Sequence, residues 1–100
     1  MYLRFPVSEA THLSVKVSLE AESLDASAEN LSASGIGLIL DRPLDAGTDV
    51  ILRLWNHVSL HGCLRPAQVI HASPRVEGGY LVGCQFDHPI GEEQVRQLTR

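Results

Sequence analysis

One hundred residues, 44% hydrophobic and 20% charged, make an ordinary globular domain with a modest core and exclude a disordered chain. The formal charge of -4 excludes the broad basic face that non-specific duplex binding needs, but not a small anionic ligand held by one or two arginines. Two cysteines cannot make a disulfide framework, no basic-then-apolar leader opens the chain and no apolar run nears membrane-spanning length, so a reducing, cytoplasmic setting is expected.

Residues Met1 to Ala10 lack periodicity. Pro6 extends the segment around Phe5, which makes it a lead-in arm laid on the domain through Phe5 and Val7. Leu13, Val15, Val17 and Leu19 alternate with Ser14, Lys16 and Ser18, the period of a strand with one buried face. A turn at Glu20–Glu22 leads to a second strand on Leu24, Ala26 and Ala28. The stretch from Asn30 to Gly35 breaks the pattern. Asn and Ser side chains compete with strand pairing, and Gly35 and Gly37 permit positive φ or a close approach to the backbone. Such a corner is either a plain turn or a cradle for a planar polar ligand.

Ile36, Leu38 and Leu40 form a third strand, and Pro43 and Gly47 mark the loop after it. Val50 to Trp55 reads as a fourth strand, with a turn at Asn56-His57. Val58 to Ala72 reads as one long strand, and Pro66, which cannot donate to a ladder, predicts a bulge or an edge position there. Tyr80, Val82, Cys84 and Phe86 give the sixth strand one face. The period then changes. Glu92 and Glu93 come early, Arg96 and Arg100 late, and Val95 and Leu98 share a side, which predicts a helix capped by Gly91 with Ile90 packed back on it. Six short strands with Gly/Pro turns predict an all-β protein, a six-stranded antiparallel β-barrel with a short C-terminal helix over one open end. The whole chain, 1–100, is one domain: arm 1–10, barrel 13–86, helix 91–100.

Five histidines and two cysteines invite a search for metal, but His57, His61 and Cys63 lack the clustered pairs of a structural zinc site, so no metal or cofactor is expected. Ser32 and Ser34 have no histidine beside them in sequence, and Asp25, Glu29, Asp41 and Asp87 read as solvated strand ends. No catalytic residue is assigned and no enzyme activity is expected.

Asn30-x-Ser32-x-x-Gly35, followed by Ile36-Gly37-Leu38, resembles the (Asp/Asn)-x-Ser-x-x-Gly motif of PilZ domains. The Leu13–Val17 strand, the Pro43–Thr48 loop and the Gly79–Phe86 strand follow in that family's order. The resemblance implies a receptor for the bacterial second messenger cyclic di-GMP that regulates a partner protein or a fused effector domain, with no nucleic acid polymer and no membrane insertion. It implies ligand-binding roles for Arg4, Asn30, Ser32 and Gly35. Guanidinium groups suit phosphates and the O6/N7 edge of guanine. The family's arm carries Arg-x-x-x-Arg; here those positions are Arg4 and Ser8, so half of the arm motif is present. The alternative implied by Ser8 is a degenerate domain that has lost nucleotide binding and serves protein–protein contact, with the surface near Trp55 as its docking area. A small barrel unrelated to nucleotides, its corner only a turn, is the third reading.

Overall fold

Alternation of apolar and polar residues carries almost the whole chain into strands. The computed structural model describes residues 5–99. Within them lie β1 (Phe5–Pro6), β2 (Thr11–Val17), β3 (Ser23–Leu31), β4 (Gly35–Leu40), β5 (Asp49–Asn56), β6 (His61–Pro74), β7 (Tyr80–Phe86) and α1 (Glu92–Thr99). All pairings are antiparallel. From β3 the ladder runs through β2, β5, β6, β7 and β4, and the β3–β4 pairing closes it into a six-stranded barrel. Closure leaves these six strands without a long open edge. The inward residues meet on the barrel axis: Val15, Leu31, Ile36, Leu38, Leu52 and Val82 are each 0% exposed.

The helix closes one end. Val95 and Leu98 are its buried residues. Its start is fixed where the Val95 N–H donates to the Gly91 carbonyl, and Ile90 is buried in the core. Its far end is held by two hydroxyls: Thr11 Oγ1 donates to the Leu98 carbonyl at 2.5 Å and Ser59 Oγ to the Gln97 carbonyl at 2.7 Å. Last-turn carbonyls have no partner within a helix, so these bonds satisfy groups that burial would otherwise penalise. Buried Asn56 ties them together, donating from Nδ2 to Thr11 Oγ1 at 2.8 Å.

The structure corrects the sequence reading at four places. Leu19 is not a strand residue. It lies in the turn after Val17 with φ of 71° and is fully exposed, because Glu20 N–H folds back to the Val17 carbonyl. Val58 also lies in a turn. Asn56 Oδ1 accepts the amides of Val58 and Ser59, so the side chain competes with the ladder and delays β6 to His61. Phe5 pairs through its backbone with Leu31, but its ring stays 43% exposed; Val7 does the packing on the core. Of the bulge or edge position expected at Pro66, the bulge does not form, since Pro66 stays in register with Ile51. Its carbonyl accepts the Asp87 N–H just past the end of β7. In an antiparallel ladder the N and the carbonyl of one residue face the same neighbour, so the missing donor points where β7 has already stopped.

Candidate functional site

The corner between β3 and β4 is shorter than its sequence suggests. Asn30 and Gly35 lie in strands, and only Ser32 to Ser34 turn the chain. Ser32 N–H donates to the Gly35 carbonyl at 2.9 Å, and Ser32 Oγ accepts from Gly35 N–H at 3.2 Å and Ser34 N–H at 3.3 Å. The Ser32 side chain is 1% exposed, so its hydroxyl works inside the turn. Two outside bonds pin the turn: the Ala33 carbonyl accepts Ile90 N–H and the Ser34 carbonyl accepts Phe86 N–H. Gly35 is required by crowding. A Cβ there would lie within contact-forbidden range of the Cys84 carbonyl on β7. The group that approaches its backbone is the protein's own strand.

Two bulges then shape the outer wall. By strict alternation Ala28 points inward and Asn30 would follow it. The register shifts between Ala28 and Asn30, so that Leu31 enters the core and Asn30 turns outward over Gly37. A Cβ on Gly37 would lie 3.0 Å from Asn30 Oδ1 and 3.1 Å from Nδ2. On β6 the register shifts between Val69 and His71, which turns the imidazole outward over Gly83; a Cβ on Gly83 would lie 2.6 Å from its Cε1. Gly37 and Gly83 face each other across β4 and β7. One row therefore runs Asn30, Gly37, Gly83, His71, with bare backbone in the middle and a polar planar group over each side.

Beside this row an open cleft of about 210 Å³ is lined by Ser34, Gly35, Ile70, His71, Gly83, Cys84 and Gln85. That is less than the roughly 300–1,000 Å³ of drug-sized ligand sites, so the cleft has room for a single flat group and not for a whole large ligand. Planar side chains, an aliphatic wall and bare amides suit a flat heteroaromatic ring. None of the lining residues carries a fixed positive charge. The arm reaches the same corner: Phe5 and Pro6 pair with Leu31 and Asn30. Arg4 lies outside the described residues. Ser8 is engaged locally, its Oγ accepting Ala10 N–H at 3.0 Å and its carbonyl accepting Thr11 N–H.

The structure thus gathers Asn30, Ser32 and Gly35 at one corner. It also adds Ser34, Ile70, His71 and Gln85, which sequence reasoning missed. The available signal was the pair of glycines inside strands, since an isolated strand glycine marks a close approach. Burial pushes the Cys84 thiol up to about 11 and raises Cys63 as well, with Arg65 partly opposing the latter. Both are free cysteines, as neutral thiols should be. Among the described residues no three His, Cys, Asp or Glu side chains group closely enough to hold a metal ion, and no helix is long and apolar enough to cross a membrane.

A closed six-stranded antiparallel barrel with a terminal helix and a short pinned β3–β4 turn defines a class of small helix-capped β-barrel domains. The PilZ domain model matches residues 3–100, and the chain belongs to that family. Its fold is shared by the PilZ domain, with c-di-GMP, of YcgR from Escherichia coli: TM-score 0.73 at 17% identity, covering 97% of this chain and 83% of that one. It is also shared by the Bacillus subtilis inhibitor of motility MotI/DgrA (TM-score 0.71, 16% identity, 98% of this chain) and by YcgR in complex with c-di-GMP (0.69, 20%, 97%). The chain spans 47% and 41% of those two longer proteins. No curated protein sequence matches it.

Proposed function

We propose that this domain is a non-catalytic cytoplasmic receptor for cyclic di-GMP that acts on a protein partner or a fused effector domain. The observation that carries the reading is the pair of bulges that aim Asn30 and His71 outward onto neighbouring glycines beside the cleft. Bulges that re-aim single side chains are a device of ligand sites. The Asn30 amide offers a donor and an acceptor to a guanine edge, and His71 offers a ring face for stacking. Ser32 and Gly35 shape the turn that sets the floor. No lysine or arginine lines the cleft, so the phosphates need a cation from elsewhere, and Arg4 on the arm is the residue assigned to that task. That two of the solved structures sharing this fold carry c-di-GMP supports the same reading.

Isothermal titration with cyclic di-GMP tests it. Saturable heat that weakens in Arg4→Ala and Asn30→Ala is expected. No heat at high micromolar ligand, from protein with an intact circular dichroism spectrum, would sink it.

A second reading is favoured by Ser8: a degenerate domain used for protein contact. Ser8 stands at the second arm position and is already committed to a local turn. Ser8→Arg separates the readings. One added charge-assisted contact is worth about 1.5–3 kcal/mol, roughly ten- to a hundred-fold in affinity. A gain of that size marks a working base corner, and no gain favours the degenerate domain.

A further inference from the structure

The outward faces of β2, β5 and β6 form a second surface. In the order around the barrel, β5 stands three strands from β4 by either route, so this face points away from the cleft. Cross-strand register lays out three rows: His12, Trp55, Gly62; Ser14, Arg53, Leu64; Lys16, Ile51, Pro66. Ile51, Trp55 and Leu64 are 39%, 42% and 54% exposed. Trp55 is held in place. A Cβ on Gly62 would lie 2.7 Å from its Cε3, so the indole leans on bare backbone across the strand pair. A pre-oriented aromatic loses little entropy on binding, which is how interface anchors behave.

The charge on this face runs against that of the chain. The protein carries 12 acidic and 8 basic residues, yet Lys16 and Arg53 stand here with no ion-pair partner among the described residues. The nearest carboxylates by register are Asp25, beside Ser14, and Asp49, at the end of β5. Apolar groups between unpaired cations need a partner with apolar side chains flanked by acids. Both edges of β5 are already paired, so an added strand has nowhere to bond. A second copy in a two-fold contact would bring the same cations against these. A bare nucleic acid strand would leave Ile51 and Leu64 without apolar cover. Three strands span about 10 Å, close to the width of a helix, about 10–12 Å.

We propose that this face docks an acidic amphipathic helix of a partner protein, its apolar stripe on Ile51, Trp55 and Leu64 and its carboxylates on Lys16 and Arg53. The inference does not rest on nucleotide binding and applies to either reading above. A patch this small makes a weak, reversible contact.

Trp55 is the only tryptophan, so its fluorescence reports directly on the face. The probe is a 16-residue helical peptide with leucines at i, i+3, i+4 and i+7 spacing and glutamates elsewhere, added to the whole domain. A saturable blue shift is expected, together with amide shifts in residues 51–55 and 62–65 by NMR. Arg53→Glu and Leu64→Ser, both solvent-facing, should each weaken binding at least about tenfold while leaving the melting curve in place. Equal binding of the same peptide with lysines for glutamates would overturn the proposal. So would no shift at about 1 mM acidic peptide, or a response confined to a dT12 oligonucleotide or to dimerisation of the domain.

Discussion

Replacing Gly35 with alanine is the sharpest test of how the corner is built. The added methyl carbon would collide with the Cys84 carbonyl oxygen, a backbone atom that cannot rotate away. An ordinary carbon–oxygen contact is about 3.3 Å or more. The strands must therefore part at the Gly35–Gln85 pair, beside the bond from Phe86 N–H to the Ser34 carbonyl. Overpacking of this kind costs about 1–3 kcal/mol, and backbone strain puts it near the top of that range. The alanine returns about 0.4–1 kcal/mol by restricting the unfolded chain. The net loss is about 2 kcal/mol. In a domain of this size that lowers the melting temperature by about 8–16 °C. Gly83→Ala is the control. The atoms nearest its methyl belong to the His71 ring, which can swing aside, so its melting curve should move by a few degrees while the His71 resonances shift. Differential scanning calorimetry of both variants is the assay. If Gly35→Ala melts within about 1 °C of wild type, the close β4–β7 contact is not what selects glycine there.

Asn56→Ala removes the acceptor for Val58 and Ser59 and the link to Thr11 in a fully buried place, and should cost about 2–4 kcal/mol in urea unfolding. A cost below about 0.5 kcal/mol would show that the helix end does not depend on this network. Cys84 has an ordinary value of 9.0 and a folded value of about 11, so its contribution to stability is complete below pH 9 and is lost as pH rises toward 11. Cys84→Ala should flatten that alkaline decline, and iodoacetamide should leave Cys84 unmodified at pH 8 in the folded protein. His71→Ala should leave the fold intact and weaken cyclic di-GMP in titration by about ten-fold, the loss of one stacking partner; unchanged affinity would place the ligand elsewhere.

Period-two alternation made the barrel legible, because every buried face from Leu13 to Phe86 shows it and the helix announces itself by a change of period. The corner that gathers Asn30, Ser32 and Gly35 was legible through their spacing, as a break in the alternation between two strands. What alternation could not reveal is a change of phase. Counting from Ala28 puts Asn30 inside, and counting from Val69 puts His71 inside. Both face out because one extra residue enters each strand. Such insertions depend on where the partner strand ends, which is information held by residues far away in sequence. Asn56 misled for the opposite reason. Its local capping of Val58 and Ser59 overrode an apolar run that reads as strand.

The short β1 has its own consequence. It occupies the side of β3 that β2 vacates beyond Leu13–Ala26, so β1 and β2 are two halves of one lane, interrupted at the Ser8 turn. The leading half holds on by a two-residue pairing and the bond from Val7 N–H to the Glu29 carbonyl at 3.3 Å. Peeling it off leaves a bare main-chain margin beside Asn30, wide enough for a guest strand. Phe5 and Pro6 thus cover a stretch of barrel wall that the longer strands leave unpaired.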